Sequence, residues 1–218
     1  MFIGHFALGF AAKRVVPRVS LAALFGAAQL ADLLWPVLVA LGIERVRIVP
    51  GITAATPLDF VSYPYSHSLA SLVLWGLLFG WICRRIVPDK RVFGVIFGLV
   101  VSHWILDVIT HRRDVPLYPG GPKLGLGLWN FVTLEKTIEI AMYAIGVWIY
   151  MRATTARDAV GRWAFLGLAA FLLAGFLASS APPPSVTALW AMALVLGALT
   201  IVWTVWVDRH RRTTHTEA

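Results

Sequence analysis

Residues 92–111 read VFGVIFGLVVSHWILDVITH, and two features of this segment decide how the chain folds. The segment is long and apolar enough to cross a bilayer as a helix, because about 20 apolar residues span the hydrocarbon core. Three ionisable residues interrupt it at intervals of four, namely His103, Asp107 and His111. This spacing places them on one face of a helix. Because ionisable groups are costly in hydrocarbon, such a face indicates a functional site.

Five further apolar runs of similar length lie on either side of this segment. The chain has 218 residues, of which 59% are hydrophobic and 14% are charged, a composition typical of proteins that cross a membrane several times. The sequence predicts a single all-α membrane bundle over residues 1–218, with the site in 1–150 and two additional transmembrane helices in 151–218. We expect a short N-terminal half-helix at 2–12 and six transmembrane helices at about 19–42, 67–87, 92–111, 135–151, 163–180 and 186–207.

The basic residues form short patches between the apolar runs. A formal net charge of +8 would suggest a nucleic-acid partner in a soluble protein. Here the patches fit the anchoring of helix ends at the cytoplasmic face, and we expect no nucleic-acid partner. If each long run crosses once, the patches fall on one side and the C-terminus is cytoplasmic. The patches are Lys13/Arg14/Arg18, Arg84/Arg85/Lys90/Arg91, Arg152/Arg157/Arg162 and Arg209/Arg211/Arg212.

Ionisable residues from several segments are predicted at one depth. Counting about 1.5 Å per helical residue puts these residues in the outer half of the membrane, and the inner half has none. Imidazole nitrogens and carboxylate oxygens are ligands that zinc and related ions accept. A cysteine-based site is excluded, because Cys83 is the single cysteine. The sequence therefore predicts a divalent-metal site whose ligands are His5, Asp32, His67, His103, Asp107 and His111.

Each of these residues also has a structural interpretation. His5 and His111 could be interfacial or solvated, and His67 could be a neighbour of a helix N-cap. Asp32 could bond a neighbouring helix, and His103 with Asp107 could be a buried structural pair. In the same way, Glu135 fits a first-turn charge favoured by the helix dipole, and Arg112 with Arg113 fits a solvated cluster.

Four motifs resemble the YdjM-like family of bacterial inner-membrane proteins, which are described as metal-dependent hydrolases. The resemblance covers roughly residues 1–150. It implies a bacterial inner-membrane location and a divalent metal, zinc first and manganese second. The matching stretches are Gly4-His5, Leu30-Ala31-Asp32, Ser66-His67-Ser68-Leu69 and Ser102-His103-Trp104-Ile105-Leu106-Asp107.

Two departures from that family concern a second carboxylate and an arginine. Many members have Pro-Asp-x-Asp where this chain has Ala31-Asp32-Leu33-Leu34, and His-Arg where it has Tyr63-Pro64-Tyr65. A more distant similarity is to zinc-dependent phospholipase C, whose ligands follow the order His, Asp, His, His-x-x-x-Asp. That similarity implies a phosphoester substrate.

Together these features favour a membrane-embedded metal-dependent hydrolase that acts on a phosphoester of a lipid or lipid-linked substrate at the outer leaflet. The ion would activate a water molecule, and Glu139 or Asp107 would act as the general base. Arg112 or Arg113 would hold the phosphate at the outer rim. The partners are then membrane lipid and a small-molecule or lipid substrate, and the oligomeric state is unknown. The alternatives are an ion or metal transporter, and a non-catalytic membrane protein with a structural metal or polar cluster.

Overall fold

Helices form most of the chain. The computed structural model describes residues 1–214, and within that range nine α-helices and one 3-10 helix, Leu128–Asn130, are present. This confirms the all-α class. The α-helices are α1 (Ile3–Ala12), α2 (Leu21–Ala28), α3 (Leu30–Ala40), α4 (Pro64–His67), α5 (Leu69–Ile86), α6 (Lys90–Thr110), α7 (Val132–Ala153), α8 (Ala159–Ala178) and α9 (Val186–Arg209).

Short strands form three two-stranded antiparallel ladders. β1 (Arg45–Ile48) pairs with β2 (Leu58–Ser62), and β3 (Val115–Pro116) pairs with β4 (Lys123–Leu124). β5 (Thr154–Ala156) pairs with β6 (Arg211–Thr213). The first two ladders lie in the loops that follow α3 and α6, and the third joins the ends of α7 and α9. None of the three was predicted from the sequence.

The described part of the chain has four helices long and apolar enough to cross a membrane: α5, α6, α8 and α9. The pair α2 and α3 gives a fifth span if it is counted as one. These helices are compatible with a multi-pass membrane protein, but the prediction of six spans was too high. The run at 135–151 does form a helix, α7. That helix is more polar than a span of this kind, because it carries Glu135, Lys136, Glu139 and Arg152.

The predicted span at 19–42 is a broken helix. Ser20 begins α2 as an N-cap, since its hydroxyl accepts a hydrogen bond from the backbone N–H of Ala23 at 3.1 Å. Gln29 then leaves the helical conformation, and α3 continues from Leu30 at an angle of 61°. The break falls three residues before Asp32, so it sets the direction in which Asp32 points.

The short helix α1 lies inside the bundle. It packs against α2, α6, α7 and α8, and its Phe10 contacts the rings of Phe25, Tyr150 and Phe165 at centroid distances of 4.7, 5.2 and 5.9 Å. Its approach to α7 is close, because a Cβ atom at Gly146 would lie 2.4 Å from the carbonyl oxygen of Ala7. The predicted half-helix is therefore present and forms part of the core.

Replacing Gly146 by alanine is expected to push α1 away from α7. Overpacking of this kind lowers the free energy of unfolding by about 1–3 kcal/mol. The measurement is the thermal unfolding midpoint of the purified protein in detergent. The matched control is Gly98→Ala in α6, where an added Cβ meets no atom within 4 Å. Equal stability of the Gly146→Ala variant and the wild type would contradict the close packing described here.

Candidate metal centre

The six residues predicted as metal ligands converge in the structure. Asp107 lies at the centre, and five of the six are almost fully buried. The side chain of Asp32 is the exception, since it is 43% exposed. The six come from four places in the fold: α1 supplies His5, α3 supplies Asp32, α4 supplies His67, and α6 with the residue after it supplies His103, Asp107 and His111.

Two carboxylates and two imidazoles form the tightest group. His67 Nε2 lies 3.4 Å from Asp32 Oδ1 and 3.8 Å from Asp107 Oδ2. His103 Nε2 lies 3.8 Å from Asp32 Oδ1 and 3.2 Å from Asp107 Oδ2. Ligand atoms about 2.1 Å from a tetrahedral ion lie about 3.4 Å from one another. These four separations are in the range of ligand atoms around an ion, and Asp32, His67 and His103 form one group that could hold it.

His5 and His111 flank this group on the other oxygen of Asp107. His5 Nε2 lies 3.1 Å from Asp107 Oδ1, and its ring stacks on that of His103 with centroids 3.7 Å apart. His111 Nε2 lies 3.9 Å from the same oxygen. The α-amino group of Met1 also donates to Asp107 Oδ1, at 2.7 Å. His5, His103 and Asp107 form a second group that could hold an ion, besides the group of Asp32, His67 and His103.

The Nδ1 atoms of three histidines are engaged away from the cluster. His103 Nδ1 lies 2.8 Å from the carbonyl oxygen of Ala28, which is free to accept because the helix breaks at the next residue. His67 Nδ1 lies 2.7 Å from Ser66 Oγ. His111 Nδ1 lies 3.0 Å from Asp114 Oδ1. Ring nitrogens held in this way fix the tautomer and aim Nε2 at a common point, as in metal sites.

In these tautomers, the Nε2 lone pairs of the histidines face carboxylate oxygens, which are also acceptors. A carbonyl oxygen can only accept, so His103 carries its hydrogen on Nδ1 and presents a lone pair at Nε2 when the ring is neutral. That Nε2 is buried and has no hydrogen-bond partner among residues 1–214, yet it faces two carboxylates. Lone pairs and carboxylates repel at these distances unless a proton or a cation lies between them. The donor set therefore fits a divalent ion.

A buried glutamate that the sequence analysis missed supports His67. Ser66 donates its hydroxyl hydrogen to Glu44 Oε2 at 2.6 Å, so Ser66 Oγ accepts from His67 Nδ1. Glu44 Oε1 also accepts from the backbone N–H groups of Tyr65 and Ser66 at 2.8 and 2.9 Å. No spacing pattern points to Glu44, because it belongs to the loop before β1 and meets Ser66 only through the fold.

Two loops cover the side of the cluster at His111. Tyr63 donates to Asp114 Oδ1 at 3.2 Å and contacts His111 Nδ1 at 3.3 Å. Burial, reinforced by the negative charge of Asp114, raises the pKa of the Tyr63 hydroxyl, so it stays protonated as a donor. The ring of Trp129 lies over His111 with centroids 3.9 Å apart. His111 is therefore enclosed, and the interpretation that it is solvated is wrong.

The residues predicted as general base and as phosphate ligands have different surroundings. The buried carboxylate of Glu139 accepts from the backbone N–H groups of Phe2 at 2.9 Å and Gly4 at 3.0 Å, so it anchors the start of α1. Arg112 bonds to Asp59 and lies 3.1 Å from Asp114 Oδ2. Arg113 is exposed. Of the two candidate bases, Asp107 faces the cluster, while Glu139 faces backbone amides.

Comparisons of the chain with protein-family models, with curated proteins and with solved structures find no match.

Glu44→Gln is expected to weaken metal binding by 10- to 100-fold, the usual effect of losing a group that orients a metal ligand. A glutamine amide at this position can donate to Ser66, which disturbs the tautomer of His67. The measurement is a competition titration of the detergent-solubilised protein with zinc against a chromogenic chelator.

Asp208→Asn serves as the control for Glu44→Gln. It also neutralises a partly buried carboxylate, but one that pairs with Lys13 away from the cluster. An unchanged zinc affinity in Glu44→Gln, or an equal loss in both variants, would contradict the orienting role of Glu44.

Proposed function

We propose that this protein is a membrane-embedded metal-dependent hydrolase that acts on a phosphoester of a lipid or lipid-linked substrate. The observation that carries the proposal is the convergence of His67 and His103, through Nε2, on the carboxylates of Asp32 and Asp107. His5 and His111 border the carboxylate of Asp107. A divalent ion between these nitrogens and carboxylates would supply the counter-charge that neutral rings lack.

Asp32, His67, His103 and Asp107 would hold the ion, with zinc as the first candidate and manganese as the second. A ligand set of histidine nitrogens and carboxylate oxygens favours zinc. When bound, such an ion lowers the pKa of its water ligand to about 7 and polarises a phosphoryl oxygen. Asp107 would serve as the general base, and Glu139 would position His5 through the start of α1.

The substrate would approach at Asp32, because that side chain is the partly exposed member of the group. Asp32 lies on α3, one half of the broken span, so the opening lies beside an apolar helix and suits a lipid. Arg113 is the exposed guanidinium near the cluster that could contact the phosphate. The guanidinium of Arg112 is already paired with two carboxylates, and we assign it to holding the outer loops together.

We further propose that the protein lies in the bacterial inner membrane with its C-terminus in the cytoplasm, and that it is a relative of the YdjM-like family. Contacts between basic patches support this orientation. Lys13 lies 3.1 Å from Asp208, next to Arg209, and Arg157 N–H donates to the His210 carbonyl at 2.9 Å. Three of the four patches therefore meet at one end of the bundle, and the cluster would then face the outer leaflet.

The metal content of the purified protein tests the site. We expect about one equivalent of zinc or manganese for a single site of this type, and its loss in a His103→Ala, Asp107→Ala double variant. His210→Ala is the control, because this histidine lies at the far end of α9. Wild-type protein that binds no metal when dialysed against zinc and manganese would exclude a metal centre.

Hydrolysis of a phosphate ester tests the reaction. The protein, reconstituted in liposomes, is incubated with short-chain phosphatidic acid and phosphatidylglycerol, and the released products are measured. We expect activity that a chelator removes and zinc restores, and a loss of roughly 10²–10⁴-fold in Asp107→Asn, the usual range for a proton-transfer group. Metal-loaded protein that hydrolyses neither lipid would argue against these substrates.

The broken helix favours a second candidate, an ion site in a transporter. Discontinuous membrane helices often surround ion sites in transporters, and the break at Gln29 directs both Ala28 and Asp32 toward the cluster. Zinc flux into proteoliposomes without ester hydrolysis would select this function over the first.

A further inference from the structure

A polar cavity lies at the end of the bundle opposite the metal cluster. Its volume is about 350 Å³, and residues from the end of α1, the end of α7, the end of α9 and strand β6 line it. It is distant from the metal cluster along each helix, since α1 runs from His5 at the cluster to Lys13 at this cavity. We call it the basic cleft. Its residues used below are Lys13, Arg18, Tyr150, Arg157, Arg211 and Arg212.

The basic cleft has a strong excess of positive charge. Five basic residues and one acidic residue, Asp208, line it. Asp208 is already neutralised, because it lies 3.1 Å from Lys13 Nζ and accepts from the backbone N–H of Leu21. Arg18, Arg157 and Arg212 are exposed around the opening. The cleft therefore presents three guanidinium groups to an incoming anion.

Arg211 forms a rigid wall of the basic cleft. It donates hydrogen bonds to Thr154 and to the carbonyl of Gly161, and its guanidinium lies 5.4 Å from the ring centroid of Tyr150 and 4.7 Å from that of Phe165. These contacts fix strand β6 against α7, so they fix the position of neighbouring Arg212. Arg211 contributes charge and rigidity, and the exposed arginines contribute the remaining donors, since Arg157 uses only its Nε to bond the carbonyl of Arg211.

A buried hydroxyl without a partner also lines the basic cleft. Tyr150 is fully buried, and its hydroxyl has no hydrogen-bond partner among the described residues. An unpaired buried hydroxyl costs free energy, and a small movement of the cleft wall would let a bound anion complete its bonding. A phenol donor next to several guanidinium groups suits an oxyanion.

We propose that the basic cleft binds a phosphate group. Guanidinium groups match the geometry of phosphate oxygens and bind them by paired hydrogen bonds. Basic cavities between the cytoplasmic ends of membrane helices also suit anionic lipid head groups. The phosphate is supplied either by a lipid head group or by a free anion. This site does not depend on the metal cluster or on the proposed hydrolysis.

The test measures ligand-induced changes in the thermal unfolding midpoint of the full chain in a neutral detergent. The probes are inorganic phosphate, dihexanoyl phosphatidylglycerol and dihexanoyl phosphatidylcholine. The neutral chelator 1,10-phenanthroline is present so that the metal cluster catalyses no reaction. We expect a saturable rise in the midpoint with phosphatidylglycerol or phosphate, and none with the zwitterionic lipid. A response to the lipid alone identifies a head group, and similar responses to both identify a free anion.

Two variants and a matched control connect the response to the basic cleft. The cleft variant removes three exposed charges and should lower the affinity for the anion at least tenfold. It combines Arg18→Gln, Arg157→Gln and Arg212→Gln. Tyr150→Phe removes one hydroxyl and should lower it roughly three- to tenfold, as expected for one hydrogen bond. The control variant removes three exposed charges from a neighbouring basic patch and should leave the affinity unchanged. It combines Arg84→Gln, Arg85→Gln and Lys90→Gln.

Three outcomes would overturn the proposal. The first is the absence of a saturable response to either anion. The second is an equal loss of affinity in the control and the cleft variant, because that would mean non-specific attraction to a basic surface. The third is an unchanged affinity in both the cleft variant and Tyr150→Phe.

Discussion

The carboxylate of Asp107 is the group on which the arrangement of this bundle depends. It is buried in the apolar helix α6, where an isolated charge would be too costly to hold. The groups that surround this carboxylate come from other elements as well as from α6. The α-amino group of Met1 donates to it, and His5 from α1, His67 from α4 and His103 from one turn earlier in α6 border it. The position of α1 inside the bundle and the fold of α4 bring these groups to this one side chain.

The break between α2 and α3 serves the same cluster in two ways. An unbroken helix would use the carbonyl of Ala28 within its own hydrogen-bond ladder. Because the ladder ends there, that carbonyl accepts from His103 Nδ1 and fixes the ring. The change of direction at Gln29 also turns Asp32 toward His67 and His103. One local interruption therefore orients one nitrogen ligand and one oxygen ligand at once.

The sequence was sufficient for the parts of the site that follow from regular geometry. The four-residue spacing of His103, Asp107 and His111 could be converted directly to a helix face. A depth count along the helices was enough to bring His5, Asp32 and His67 to the same level. What could not be predicted depends on contacts between distant loops. Glu44 and Ser66 are 22 positions apart and meet only when the loop before β1 folds over α4.

The number of spans was overestimated for a related reason. Apolar content alone suggested that 135–151 crosses the membrane, but the first turns of α7 carry Glu135, Lys136 and Glu139. The carboxylate of Glu139 accepts hydrogen bonds from the backbone N–H groups at the start of α1, which would otherwise be unpaired in the core. The polarity of α7 is therefore explained by its neighbour rather than by exposure to water.

Helix α1 connects the two polar ends of the molecule. It is only ten residues long, so at about 1.5 Å per residue it spans roughly half a bilayer. His5 near its start contacts Asp107, and Lys13 just after its end contacts Asp208 and the carbonyl of Val19. Contact with lipid alone would not hold either end of so short an apolar helix. The contact of His5 with Asp107 at one end, the ion pair of Lys13 with Asp208 at the other, and the close approach at Gly146 together fix its position.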